Sequence, residues 1–212
     1  MQILRHNVGT ITLIRHGPPA VSLRQRVRGH QFRQFVARYD AAKIERQAQP
    51  PRAAKQVMSQ ADWVFASNRP RAMHTAELLG VPKSPVVDER FREIEFPVDF
   101  PRHFRFSALT WTVIALTLWR LGYSAQCEPL ARARARARAA ADMLEQQIDN
   151  PQPIASQSMT GQSATDDQSG GSVVLVAHGG INRLIAKELR RRGWQGPRLP
   201  RSQHWGCTTY CR

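Results

Sequence analysis

Two runs of apolar residues in this chain end in the same dipeptide: Leu13-Ile14-Arg15-His16-Gly17 and Val174-Leu175-Val176-Ala177-His178-Gly179-Gly180. An imidazole at the end of a buried strand can serve as nucleophile, acid or base near neutral pH. A glycine beside it lets backbone N–H groups approach an anion closely. A third stretch, Ser67-Asn68-Arg69-Pro70-Arg71-Ala72-Met73-His74-Thr75-Ala76, places Arg71 where a strand gives way to a helix. A guanidinium offers a planar fork of donors that matches phosphate oxygens. Arg15 and Arg71 are therefore candidates to clamp one phosphate between them, and phosphoryl transfer is the chemistry these residue types suit.

Such residues act together only if the chain brings them together. Thr10 to Arg15, Asp62 to Ser67 and Ser172 to Ala177 read as strands; the first and third are nearly continuous apolar runs, as in a parallel sheet covered on both faces. Helices alternate with them. Pro70 to Leu79 stops at Gly80, and Ile181 to Arg192 carries Ile181, Leu184, Ile185 and Leu189 on one stripe before Gly193. A third helix, Ala131 to Ile148, has an apolar seam of Ala133, Ala137, Ala140, Leu144 and Ile148. Its Arg132, Arg134, Arg136 and Arg138 read as solvated, snorkelling side chains. The alternation predicts an α/β fold: a three-layer sandwich with a mostly parallel central sheet and helices on both faces. Ligands of such sheets sit beyond the carboxyl ends of the strands. If the two histidine strands are neighbours, His16 and His178 face one crevice, with the positive end of the helix near Ile181 turned the same way.

At 212 residues, 42% of them hydrophobic, residues 1–212 suffice for a single domain with a full core. The net charge of +15 predicts an anionic partner, whether a small phosphorylated substrate, an anionic lipid or, less favoured, nucleic acid. Three cysteines do not make a disulfide framework, and residues 1–17 contain no apolar leader core, so a cytoplasmic protein with reduced thiols is expected. The most apolar segment, Leu109 to Leu121, is interrupted by Thr110, Thr112, Thr117 and Arg120. It falls short of the ~20 residues of a membrane span and suits a buried or cap-forming helix. Asn150 to Gly171 is rich in Ser, Gln, Gly and Pro and reads as a flexible surface loop. His204, Cys207 and Cys211 lack the paired spacing of a zinc site, so no metal is expected; Cys207 to Tyr210 reads as an edge strand.

Taken together these residues resemble the histidine phosphatase, or phosphoglycerate mutase-like, superfamily. Its Arg-His-Gly after the first strand is matched by Arg15-His16-Gly17. Its Ser-x-x-x-Arg-Ala-x-x-Thr-Ala segment is matched from Ser67 through Arg71-Ala72 to Thr75-Ala76. Its Arg-Glu-Ile is matched by Arg92-Glu93-Ile94, and its final His-Gly by His178-Gly179. The resemblance implies that His16 attacks phosphorus and becomes phosphohistidine. It implies that Arg15, Arg71 and His178 surround the phosphoryl oxygens, that Gly17 and Gly179 let the backbone approach them, and that Glu93 moves the proton. It implies neither metal nor cofactor, and a small helical cap inserted at about residues 97–130.

Two departures bear on function. Relatives often carry a Thr and an Asn after the first His-Gly, whereas this chain reads Pro18-Pro19-Ala20-Val21-Ser22; Pro19 has neither hydroxyl nor N–H, and Ser22 is the candidate to replace the Asn. This counts against a mutase more than against a phosphatase. The loop after Glu93 is stiffened by Pro97 and Pro101 and contains Glu95, an alternative acid. A non-catalytic binder of nucleic acid or another anion is the reading from a different class. Retention of His16, Arg71, Glu93 and His178 together counts against it.

Overall fold

The computed structural model describes residues 9–82, 84–149 and 171–212. The loop expected over residues 150–171 lies outside the described residues except for Gly171.

The elements follow in the order β1 (Thr10–Arg15), β2 (Arg26–Arg28), α1 (Phe32–Ala41), α2 (Arg52–Ser59), β3 (Trp63–Ser67), α3 (Pro70–Leu79) and β4 (Val86–Asp88). Then come β5 (Arg105–Ser107), α4 (Ala108–Arg120), α5 (Leu130–Asp149), β6 (Ser172–Ala177), α6 (Gly179–Arg191) and β7 (Cys207–Cys211). Five strands make one sheet in the order β4-β3-β6-β1-β7. All neighbours are parallel except β7, which runs antiparallel to β1 at the edge. The fold is the expected mostly parallel α/β sandwich.

Strand alternation divides the core between two faces. Ile11, Leu13, Val173 and Leu175 pack with Ala137, Ala141 and Leu144 of α5 and with Ile185 and Leu189 of α6. Ile14, Val64, Val174 and Val176 pack on the other face with Ala54 and Met58 of α2 and with Ala72, Ala76 and Leu79 of α3. Helix α3 spans the residues expected of it, with Pro70 in its first turn. Helix α6 starts at Gly179, two residues before the expected Ile181, directly after His178.

The expected cap segment holds β5 and α4, and it does not pack alone. Ala108, Trp111 and Ala115 of α4 form one cluster with Phe32 and Phe35 of α1 and Val27 of β2, and β2 pairs antiparallel with β5. The indole of Trp111 donates to the Val27 carbonyl at 3.0 Å.

One expectation about α5 needs correcting. Arg132, Arg134 and Arg138 are exposed as read from sequence, but Arg136 is not a solvated side chain. It grips the Glu128 carboxylate in bidentate fashion, at 3.0 and 2.6 Å, and donates to the carbonyls of Arg90 and Arg92 at 2.9 and 2.7 Å. A guanidinium has enough donors to tie a carboxylate and two carbonyls at once. Arg136 thereby fixes the start of the loop that carries Glu93 to the returning end of the cap.

Candidate active site

Strands β1 and β6 are hydrogen-bonded neighbours, with Arg15 opposite Ala177, so the next residues, His16 and His178, emerge side by side. Their ring centroids lie 5.1 Å apart. Both are enclosed, His16 2% and His178 0% exposed. Burial, the larger cause, and the positive charge of Arg71 hold both imidazoles well below their usual titration range. At neutral pH both are uncharged. His16 Nδ1 lies 2.7 Å from the Gly17 carbonyl oxygen, which can only accept, so Nδ1 carries the hydrogen and Nε2 keeps its lone pair. That is the tautomer a nucleophilic histidine needs. His178 Nε2 meets the Ser67 hydroxyl at 2.8 Å, and its Nδ1 is buried without a partner.

The arginines arrive from the ends of β1 and β3, the strands on either side of β6. Arg71, in the first turn of α3, is 1% exposed. One end of its guanidinium donates to the Tyr39 carbonyl and to Asp40 Oδ1, both at 3.1 Å, and its carbon sits 5.0 Å from the Tyr39 ring centre. Arg69, which the sequence reading left without a role, pairs with Asp40 Oδ2 at 3.4 Å. Arg15 donates to the Ser202 carbonyl. In Arg15, Arg69 and Arg71 alike the Nε group is buried with no partner.

The two glycines after the histidines serve packing as well. A Cβ on Gly17 would come within 2.3 Å of the Trp205 ring, and the Gly17 N–H already donates to the Thr75 hydroxyl at 3.0 Å. Thr75 in turn donates to the Arg71 carbonyl at 2.6 Å. The Thr of the Arg-Ala-x-x-Thr-Ala segment thus locks the His16 loop onto α3. Gly179 opens α6, where its Cβ position lies 3.6 Å from Arg15 Nε. Ser22 is not brought into this cluster: it is exposed, and its hydroxyl accepts from the Arg24 N–H at 3.2 Å.

Glu93 occupies the positive end of α6. Its Oε2 accepts from the Gly180 N–H at 3.2 Å and its Oε1 from the N–H groups of Ile181 and Ile94, each at 3.0 Å. The expectation that this helix end points at a substrate anion therefore needs revising, because two of its N–H groups are taken by a carboxylate from within the chain. The arrangement depends on Gly180, where a Cβ would fall 2.5 Å from Glu93 Oε1. Glu95 is held elsewhere, by the Glu128 N–H at 3.1 Å and by Arg92 at 3.4 Å. Both carboxylates line the cavity that contains Arg15, Arg69 and Arg71.

A third imidazole, unassigned from sequence, completes the group. His204 precedes β7, its ring centre 5.5 Å from that of His16 and its Nε2 buried without a partner. Burial first, then Arg15, depress its titration to about 4. Only the antiparallel return of β7 beside β1 brings it here, and no local signal marks that. The thiols of Cys207 and Cys211 point to the carbonyls of Trp205 and Gln195 instead. Among the described residues no group of three or more His, Cys, Asp or Glu is placed to hold a metal ion, and no helix is long and apolar enough to cross a membrane.

Such a site can bind a tetrahedral anion against neutral imidazoles, under guanidinium donors, with a carboxylate at its edge. The chain has the same fold as several solved proteins. A mycobacterial glucosyl-3-phosphoglycerate phosphatase, solved with VO3, is 18% identical, covers 95% of this chain and 92% of its own, and superposes with a TM-score of 0.55. A putative α-ribazole-5'-phosphate phosphatase from Escherichia coli is 16% identical over 85% of this chain and 79% of its own, with a TM-score of 0.51. A protein described as mycobacterial hydrolase 2 is 19% identical over 96% and 82%, with a TM-score of 0.61. No curated relative matches the chain closely enough in sequence to count. The profile of the histidine phosphatase superfamily (branch 1) matches residues 11–210, nearly the whole chain, and the protein belongs to that superfamily.

Proposed function

We propose that the protein is a metal-independent phosphatase that hydrolyses a small phosphomonoester through a phosphohistidine on His16. One observation carries the reading. Eight side-chain nitrogen or oxygen atoms are buried without a partner among the described residues, and five of them (Arg15 Nε, Arg69 Nε, Arg71 Nε, His178 Nδ1 and His204 Nε2) belong to residues gathered around His16. Buried polar atoms are ordinarily satisfied. A cluster of nitrogens left over at one point suits a ligand rich in acceptor oxygens.

In the first step His16 Nε2 attacks phosphorus. The ester P–O bond breaks, and Glu93 gives its proton to the departing oxygen, releasing the alcohol. In the second step Glu93 takes a proton from water, the water oxygen attacks phosphorus, and the N–P bond breaks to release inorganic phosphate. Arg15, Arg71 and His178 would stabilise the charge on the equatorial oxygens in both steps. Glu93 is preferred over Glu95 as the proton carrier because its carboxylate is anchored to the turn that follows His178. A cytoplasmic setting, with three free thiols, belongs to the same proposal.

The test is release of phosphate from p-nitrophenyl phosphate in excess EDTA. The wild type should turn over, and His16→Ala should lose at least about three orders of magnitude in rate. Vanadate, found with the mycobacterial relative, should inhibit the wild type. No release by the wild type from this or any other phosphomonoester would sink the catalytic reading and leave a binder of anions.

A further inference from the structure

The cavity that holds the arginines is far larger than a phosphate group. It measures about 480 Å³, within the range of sites that enclose a whole small molecule. Apart from its charged side chains, Arg120, Arg183, Asp40 and Glu95 as well as Arg15, Arg69, Arg71 and Glu93, its lining is mostly hydrocarbon, including Phe35 and Val36 of α1, Phe96 and Val98 of the acid loop, and Val113 and Leu116 of α4.

Helix α4 makes the point sharpest, because it carries two apolar stripes. Ala108, Trp111, Ala115 and Trp119 recur at helical spacing and are buried against the body and α1. Leu109, Val113 and Leu116 recur at the same spacing on an adjacent face and line the cavity. Leu109 is 52% and Val113 55% exposed. An apolar stripe left in water is unfavourable, and here it opens onto a cluster of cationic donors. The cavity's uncharged polar groups are largely engaged elsewhere. The Thr112 hydroxyl donates to the Ala108 carbonyl of its own helix, and Gln126 Oε1 accepts from Arg33. Along the α4 stripe a sugar would bury its hydroxyls with few partners, at a cost that an alkyl or aryl group does not meet.

Building on the phosphatase reading, we propose that the substrate is a phosphomonoester of an apolar alcohol, its alkyl or aryl body laid along α4 while its phosphate meets the arginines. Bound at both ends, such a substrate is oriented with its ester oxygen toward Glu93. The hydrocarbon contributes affinity in proportion to the surface it buries, about fourfold for each methylene.

The experiment uses n-alkylphosphonates, whose C–P bond this chemistry does not cleave, so binding is read apart from turnover. Calorimetry on the wild type should show affinity rising about fourfold per methylene from ethyl through butyl to hexyl phosphonate. Val113→Asn, at a half-exposed position that tolerates the change, should flatten that slope, and Leu116→Asn should flatten it independently. In parallel, kcat/KM for n-alkyl phosphates, whose leaving groups are equally basic, should follow the same slope and exceed that for glycerol 3-phosphate by tenfold or more. Affinity that does not change with chain length overturns the proposal even if every ester is hydrolysed, as does a preference for glycerol or sugar phosphates. Length-dependent binding with no turnover of any ester upholds the chamber as a site for apolar phosphates and overturns the phosphatase reading instead.

Discussion

Two regions of this molecule bury arginine beside other charged or titratable groups, and they do it to opposite ends. Between α5, α6 and the C-terminal residues, Arg192 reaches Asp142, Glu145 and Glu188, while Arg212 reaches Glu145 and Asp149. The Trp194 indole donates to Glu145 at 2.6 Å, so this knot is closed: each buried carboxylate has several donors. At the histidine end Arg69 and Arg71 share one carboxylate, Asp40, Arg15 pairs with none among the described residues, and each of the three keeps an unpartnered Nε. Guanidinium excess beside two neutral imidazoles is an unfavourable arrangement that an anion relieves. Closed networks of charge serve the fold; open ones serve a ligand.

The comparison breaks most clearly if one arginine is removed from each region. Arg192→Ala removes one donor from each of Glu145 and Glu188, both buried, which keep Trp194, Arg212 and Arg191, and should lower unfolding free energy by about 1.5–3 kcal/mol with turnover per folded molecule unchanged. Arg71→Met keeps the apolar stem and removes a positive charge from beside His16 and His178, while Asp40 retains Arg69 and some contact with water. It should lower kcat/KM about 10²–10³-fold, with a loss of stability no greater than about 1 kcal/mol. Urea unfolding and kinetics on the two variants give a two-by-two table. Similar losses of activity and stability in both would erase the distinction.

Gly180→Ala sharpens the account of the open region. The new methyl would lie 2.5 Å from Glu93 Oε1 and 2.5 Å from Ile94 Cγ1, so the carboxylate must leave the start of α6. A displacement of about 1 Å should reduce kcat by roughly 10²-fold while KM moves little, since the arginines that hold phosphate are untouched. If KM rises and kcat holds, Glu93 belongs to binding and Glu95 becomes the proton carrier.

How much of this was legible beforehand depends on whether the cause is local. Strands β1, β3 and β6 and helices α3, α5 and α6 announce themselves through runs and stripes longer than their noise, and the strand-end rule then places His16, His178 and Arg71. Helix α1 carries a signal of its own, with Phe32, Phe35, Val36 and Tyr39 at helical spacing. Strands β2, β4 and β5 have three residues each, too few to show a period. Arg69 and His204 were missed as site residues for another reason. Their nearness to the histidines is made by Asp40 at the end of α1 and by the return of β7, contacts between segments far apart in sequence. The alternating arginines of α5 show the same limit, since nothing local distinguishes the pinned Arg136 from its solvated neighbours.

The smallest effect tests the open region through protons alone. His16 and His178 are held neutral by burial and by Arg71, so each titrates lower in the folded chain than in the unfolded one. Below the unfolded value of about 6.5 the unfolded chain binds more protons, so stability is present above that pH and is lost as pH falls. Each such histidine should contribute a slope of up to about 1.4 kcal/mol per pH unit. His204, which titrates at about 4 when folded, adds to the same trend. In the closed region Glu188 is drawn down to about 2, chiefly by its hydrogen bond from Arg191, so its contribution is lost only as pH falls from about 4.3 towards 2. Urea midpoints between pH 7 and pH 5 therefore read the histidine end without the closed region. The wild type should weaken steadily across that range, and His16→Asn, which cannot titrate, should lose one histidine's share of the slope. A steeper slope in His16→Asn than in the wild type would mean that His16 already carries its proton in the folded chain. It could not then open the reaction as a nucleophile, and the division between the two regions would have to be drawn on other grounds.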